Sequence, residues 1–223
     1  MEAVAMGAIG ARNGPGTLIG SADRYSLGFS ASGLAGGARA SGSSGRPNSF
    51  EVLIHGRIES AQLAGVSEAS CAFELVFGPD WQAQSGVSGG ETQGARNQQD
   101  AHDKPSAVWN FPVQMLMMAT NVAGWPRLVL TVRDSGRNIV GYGSVLVPTR
   151  DGQSTKYCRL FSPLASTTLG DALARMTSEL PEFYDSRFSA ACPGREAARV
   201  VSAGVVKVAF TTRIVGRESF GYR

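Results

Sequence analysis

Apolar and polar residues alternate one by one along several separated stretches of this chain, and that period of two restricts it to extended structure. In Phe50-Glu51-Val52-Leu53-Ile54-His55-Gly56-Arg57-Ile58-Glu59, the residues Phe50, Val52, Ile54 and Ile58 share one face. Glu51, His55, Arg57 and Glu59 share the other. Successive side chains of a strand point to opposite faces, so this pattern describes a strand half buried against a core. Cys71, Phe73, Leu75 and Phe77 repeat it before a Gly78-Pro79-Asp80 turn, and Leu128, Leu130 and Val132 repeat it within 127–133. Over 199–215, Val206, Val208, Phe210, Thr212 and Ile214 alternate with Val205, Lys207, Thr211 and Arg213, as a last strand or bent strand pair.

The residues between these stretches organise them. An Asp134-Ser135-Gly136 turn joins 127–133 to a strand over 139–147 at hairpin spacing. Strand character also marks 155–161 and 108–118; within the latter, Pro112 calls for an edge or a bulge because it cannot donate to a ladder. Gly141 and Gly143 flank Tyr142, which implies close backbone approach or a bulge rather than a phosphate cradle. Residues 82–106, rich in Gln, Gly, Ser, Asn and Asp, read as a long polar loop, functional or mobile. One helix is predicted near 168–180, where Leu169, Leu173, Met176 and Leu180 recur at helical spacing. Thr168 with Asp171 resembles a capping box, and Pro181 stops the helix. A parallel α/β sheet would need helices between most strands, and the pattern has none there. The expectation is an all-β chain, an antiparallel β-sandwich of about eight strands with one short helix near residues 168–180.

Residues 1–48 differ in kind. Runs such as Gly33-Leu34-Ala35-Gly36-Gly37 and Ser41-Gly42-Ser43-Ser44-Gly45 offer too little apolar surface to offset chain entropy. They predict a disordered Gly/Ala/Ser-rich extension, with the folded domain over 49–217 and a C-terminal tail over 218–223. Glu2, Gly7, Gly10, Gly14 and Pro15 break the apolar centre that a signal peptide needs. An Arg/Ser/Ala-rich transit peptide is the alternative, against which Glu2 and Asp23 weigh. No run of about 18 apolar residues occurs. The formal charge of +3 is spread over scattered arginines, so no dense basic face points to nucleic acid.

The residues that could carry chemistry are sparse. Cys71, Cys158 and Cys192 are far apart and odd in number, without a C-x-x-C pair, and only two histidines accompany them. This set supports neither a structural zinc site nor a disulfide framework and fits a reducing compartment. Cys71 alternates with Phe73 and Leu75, the setting of a buried thiol. His55 lies on the polar face of its strand and His102 in the polar loop, neither beside a carboxylate or cysteine at triad or ligand spacing, so both read as surface residues. No Gly-rich stretch carries a phosphate-loop signature. Calcium would need about six to eight oxygen ligands, whereas Asp134 stands between Arg133 and Arg137, and Lys104 dilutes Asp100 and Asp103. Trp81, Trp109 and Trp125 sit at strand ends, either as plugs of the core or as anchors for a partner.

An ordered series of short motifs runs through the strand-forming part of the chain. Gly56-Arg57-Ile58-Glu59-Ser60-Ala61-Gln62 is followed by Gly78-Pro79-Asp80-Trp81, Val108-Trp109-Asn110-Phe111-Pro112 and Gly124-Trp125-Pro126. Then come Gly141-Tyr142-Gly143 with Pro148, Pro181-Glu182-Phe183, Gly194-Arg195-Glu196, Arg199 and Gly204. Over nearly all of residues 50–222 this series resembles the B9-domain family of the ciliary transition zone. The resemblance implies a C2-like β-sandwich without enzymatic activity, cofactor or bound metal. It implies a scaffold of the B9/Meckel-syndrome complex, at the transition zone or basal body on the cytoplasmic side. Its role there is in cilium assembly and in the barrier that gates ciliary membrane proteins. Implied partners are other B9-domain proteins (B9 domain-containing protein 2 and the Meckel-syndrome type 1 protein) and transition-zone membrane proteins. The alternative is a stand-alone phospholipid-binding C2-like module recruited to membranes. Whether the motif residues Trp81, Trp109, Asn110, Phe111, Pro112, Gly124, Trp125, Pro126, Gly141, Tyr142, Gly143, Gly194, Arg195 and Glu196 are structural or partner-facing stays open. Two features depart from the family pattern: the extension before residue 49, and a shorter hairpin loop at 134–138 that further weakens a calcium role.

Overall fold

The computed structural model of the chain describes residues 49–98, 106–165, 167–177, 181–191 and 198–220. The expected extension over 1–48 lies outside them, as do Asp100, His102, Asp103, Leu180, Cys192 and the Gly194, Arg195, Glu196 motif. Ten strands are described: β1 (Phe50–Leu63), β2 (Glu68–Val76), β3 (Trp81–Gly86), β4 (Gly89–Glu91), β5 (Ala95–Gln98), β6 (Ser106–Ala119), β7 (Arg127–Asp134), β8 (Ile139–Leu146), β9 (Gly152–Pro163) and β10 (Val200–Val215). The connection from β9 to β10 carries the helix α1 (Thr168–Thr177). Neighbouring strands follow the order β1-β10-β9-β8-β7-β2-β5-β6, and β6 pairs again with β1. The sheet therefore closes on itself as a barrel-like sandwich, the all-β architecture that the alternation called for, in the C2-like form that the resemblance implied.

The alternation sorts side chains as expected. Phe50, Val52, Ile54 and Ile58 of β1 line the interior with Cys71, Phe73 and Leu75 of β2, Leu128, Leu130 and Val132 of β7, and Val206, Val208 and Phe210 of β10. β7 goes further, because Val129 and Thr131 on its other face are buried too. The segment 181–191 covers that outer face, and a strand covered on both sides has no solvent face to alternate with. Pro112 of β6 stands opposite Arg57 of β1, beside a register shift between Ile58 and Ser60. Asn110, at φ 49°, takes up that irregularity as a bulge. β10 is one strand rather than a pair, with its own irregularity between Ser202 and Gly204.

Two expectations need correction. Residues 82–106 are not one long loop, since β3, β4 and β5 occupy much of that stretch. β3 pairs with β6, β4 with β2, and β5 with both. Their side chains are mostly exposed, so backbone hydrogen bonds alone make them strands and no apolar period announces them. The helix is present, but its cap is Thr167, one residue before the expected Thr168, its Oγ1 accepting from the Gly170 N–H at 3.0 Å. Its apolar stripe also faces solvent: Leu169 and Met176 are 79% and 83% exposed.

Phe210 tests the inward face of β10. It is 2% exposed and its ring lies 3.4 Å from where a Cβ on Gly56 would stand. Phe210→Ala is expected to lower unfolding free energy by about 3–5 kcal/mol in urea titrations. A loss below about 1 kcal/mol would place the ring outside the core.

Candidate functional site

The start of β1, the β2–β3 and β6–β7 turns and the β8–β9 turn gather at one end of the barrel, and they bring two motifs together, Gly78-Pro79-Asp80-Trp81 and Gly124-Trp125-Pro126. The Gly78 N–H donates to the Gly124 carbonyl at 2.8 Å. A Cβ on Gly124 would stand 2.4 Å from the Gly78 Cα, so these two turns can meet only as glycines. Behind them Trp81 is buried and its Nε1–H donates to the Ala123 carbonyl at 2.8 Å. Trp125 is half-buried, with Nε1–H donating to the Val147 carbonyl at 2.9 Å. The buried Pro126 returns the bond, its carbonyl accepting from the Val147 N–H at 3.1 Å. The two indoles meet edge to face at 4.9 Å, and Phe50 contacts both, at 5.6 Å from Trp81 and 6.3 Å from Trp125. Arg217–Phe220, a short 3₁₀ turn, adds Phe220 at 5.7 Å from Phe50. Aromatic rings thus seal this end, and each indole N–H is satisfied indoors.

The β6 motif lies toward the other end. Trp109 is buried and donates from Nε1 to the Ala69 carbonyl at 3.0 Å. Its own carbonyl, released from the ladder by the bulge, accepts from Gln93 Nε2 at 3.0 Å. Phe111 is half-buried, 5.5 Å from Phe73, and Asn110 is exposed. Across the bulge, Glu59 lies 2.9 Å from Lys207 and 3.3 Å from Arg57. The bond from Lys207, reinforced by Arg57, holds the Glu59 carboxyl below its ordinary value despite partial burial.

The Gly-Tyr-Gly motif serves the outer face. Tyr142 is buried there, its hydroxyl accepting from the Phe183 N–H at 3.2 Å and its ring 5.1 Å from the Phe183 ring. Phe183 also meets Phe161 and Phe188, at 6.1 and 5.0 Å. Ser144 Oγ donates to the Ser189 carbonyl and Ser189 Oγ to the Gly143 carbonyl, which pins the segment to β8. Burial pushes the Tyr142 phenol up. Burial also pushes the Cys158 thiol up to about 12 and the Cys71 thiol up as well. Both thiols therefore stay protonated near neutral pH and make poor nucleophiles or ligands.

Between the outer face and residues 182–186 lies a cleft of about 500 Å³, bounded by Ala72, Glu74, Thr131, Arg133 and Glu182. Arg187 bridges to Glu74, with Nε 3.0 Å from Oε1. Asp134, the sequence's one carboxylate in the hairpin loop, accepts from the Asn138 backbone N–H at 2.8 Å and Nδ2 at 3.0 Å, so it closes its own turn. His55 is exposed on β1. Among the described residues no three His, Cys, Asp or Glu side chains converge on a point where a metal ion could sit. The outer-face cover 183–189 escaped the sequence reading; its only signal was the Pro181-Glu182-Phe183 motif, since a short irregular segment has no period to detect.

Residues 52–213 match the family described as "Ciliary basal body-associated, B9 protein". The chain belongs to the B9 family. B9 domain-containing protein 1 of Mus musculus is 33% identical over 180 residues, which is 79% of this chain and 87% of that protein. Its Xenopus laevis counterpart is 34% identical over 180 residues, covering 79% and 90% respectively. B9 domain-containing protein 2 of Mus musculus is 35% identical over 126 residues, 52% of this chain and 66% of that protein. The likeness to protein 1 thus reaches further along this B9 chain than the likeness to protein 2.

Gly143 offers a direct check on the motif's packing role. A Cβ there would stand 2.6 Å from the Cys158 Sγ and 2.9 Å from the Arg159 carbonyl oxygen. Gly143→Ala is expected to destabilise the B9 domain by about 1–3 kcal/mol, read from its thermal or urea midpoint. An unchanged midpoint would mean that β8 and β9 do not approach this closely.

Proposed function

We propose that this B9 chain is a non-enzymatic scaffold of the B9/Meckel-syndrome complex at the ciliary transition zone. There it holds partner proteins beside the membrane, supports cilium assembly and contributes to the barrier that gates ciliary membrane proteins. The observation that carries the reading is how the motif side chains are used. The indoles of Trp81, Trp109 and Trp125 and the hydroxyl of Tyr142 are all engaged by backbone groups of the same chain. Side chains committed in this way shape a surface rather than a reaction centre, and binding is the work such a surface does. Residues 49–217 form the working domain in this reading. Its partners are B9 domain-containing protein 2, the Meckel-syndrome type 1 protein and transition-zone membrane proteins, with no nucleic acid.

The test is localisation of a tagged chain in a ciliated cell, with identification of what co-purifies. The expected result is a band between basal body and axoneme, with other B9 proteins recovered. A diffuse signal without B9 partners would overturn the proposal. Flotation of the purified chain with anionic liposomes, weakening as salt rises, in the absence of any protein partner would favour a stand-alone lipid module instead.

A further inference from the structure

The outer face of β7 carries two polar side chains that the fold leaves unused. Thr131 is 5% exposed, and its hydroxyl makes no hydrogen bond among the described residues. Two residues on, Arg133 is half-buried, and its guanidinium has neither an ion pair nor a hydrogen bond among them. Tyr142 of β8 stands in register with Thr131 and is 1% exposed. Its oxygen accepts from the Phe183 N–H at 3.2 Å, but its own proton goes to no described group. Buried polar groups nearly always have a hydrogen-bond partner, so two unspent hydroxyls on neighbouring strands call for an occupant.

All three side chains line the cleft of about 500 Å³ beside residues 182–186, and Ala72, opposite Thr131 on β2, leaves its floor open. Each is a donor: threonine and tyrosine offer an O–H, and arginine a planar fork of N–H groups. Donors joined to one fixed positive charge select an anionic acceptor, and a carboxylate matches the fork with its two oxygens. Among the described acids on the wall, Glu74 is answered by Arg187, whose Nε lies 3.0 Å from Oε1. Glu182 is exposed and makes no ion pair among the described residues. Burial pushes the Tyr142 phenol up, which keeps it a neutral donor, and the charges of Glu182 and Arg133 act on it in opposite senses. Both charges thus stand near one hydroxyl. Glu182 repels a phosphate dianion more than a single carboxylate.

We propose that this cleft is a carboxylate-binding site, in which the Arg133 fork holds the ligand's two oxygens and the Thr131 and Tyr142 hydroxyls donate to the same group. The carboxylate has two sources, a free small acid or an acidic side chain of another protein, and the recognition chemistry is the same for both. The site goes beyond the scaffold reading, which names partners but no contact.

The test is titration of the full chain at constant ionic strength, followed by amide chemical shifts around the cleft. The probes are glutarate, a short peptide blocked at both ends with one central glutamate, and inorganic phosphate. Saturable one-to-one binding is expected for at least one carboxylate, with a Kd on the order of 1 mM, and weaker binding for phosphate. Tighter binding of glutarate assigns the site to a small acid, and tighter binding of the peptide to a protein partner. Arg133→Gln should weaken binding by more than about tenfold, the loss expected for hydrogen bonds to a charged group. Thr131→Val should weaken it too, while the unfolding midpoint holds or rises, because an unpartnered buried hydroxyl does not support the fold. This second variant keeps the test decisive if Arg133→Gln folds poorly. No saturable binding of either carboxylate, phosphate binding as tightly, undiminished binding in a folded variant, or a lowered midpoint in Thr131→Val would overturn the proposal. None of these outcomes bears on ciliary localisation, so this proposal and the scaffold reading can fail separately.

Discussion

β2 and β6 do not pair with each other, and what joins them is the polar segment 81–98 that crosses from one to the other. The Val87 N–H donates to the Gln114 carbonyl of β6 at 3.2 Å, and the Leu75 N–H of β2 donates to the Ser88 carbonyl at 2.7 Å. Lower in the seam, Thr92 Oγ1 accepts from the Cys71 N–H, and Asn97 Nδ2 donates to the carbonyls of Leu63 and Val66. A buried backbone group left without a partner costs about 1–3 kcal/mol, so an open seam beside Cys71 and Trp109 would drain a large share of a domain's net stability. Closure here lets the other strands bury their inner faces around one core, since a closed sheet has no edge to leave unpaired along its ring.

This closure shapes what the B9 domain can offer to others. With the motif tryptophans turned inward and Tyr142 locked under Phe183, these motif aromatics fix turns and cover rather than project from them. The working surface is then made of exposed side chains on a rigid frame, together with the excursion between β9 and β10. That excursion contributes in two ways. Its 3₁₀ turn at Ser186–Ser189 is pinned to the outer face through Ser189, and its helix exposes apolar residues. A frame of this kind suits assembly, where geometry is held constant while surfaces choose partners.

The strands with one buried face were legible from sequence because burial imposes a period of two on the residues themselves. β1, β2, β7 and β10 are the examples, and Val206, Val208 and Phe210 sit where the alternation put them. The seam strands were not legible, because residues such as Gln82 and Arg96 face solvent and only their backbones hold the ladder. Helix α1 failed in the opposite way: its period was plain, but an apolar stripe does not say whether it turns to its own core or away from it. The motif series identified the family, while the physical use of each motif residue became visible only in bonds such as Trp125 to Val147, between residues far apart in sequence.

Native-state amide hydrogen exchange tests the seam most directly, because each claimed bond has its own N–H. If segment 81–98 closes the barrel, the amides of Cys71, Leu75 and Val87 will exchange about as slowly as those of Leu130 and Val132 in the core of β7, opening only with global unfolding. If those three amides instead exchange at the rate of the exposed Gly65 turn, the seam is open and the account of a closed B9 frame is wrong.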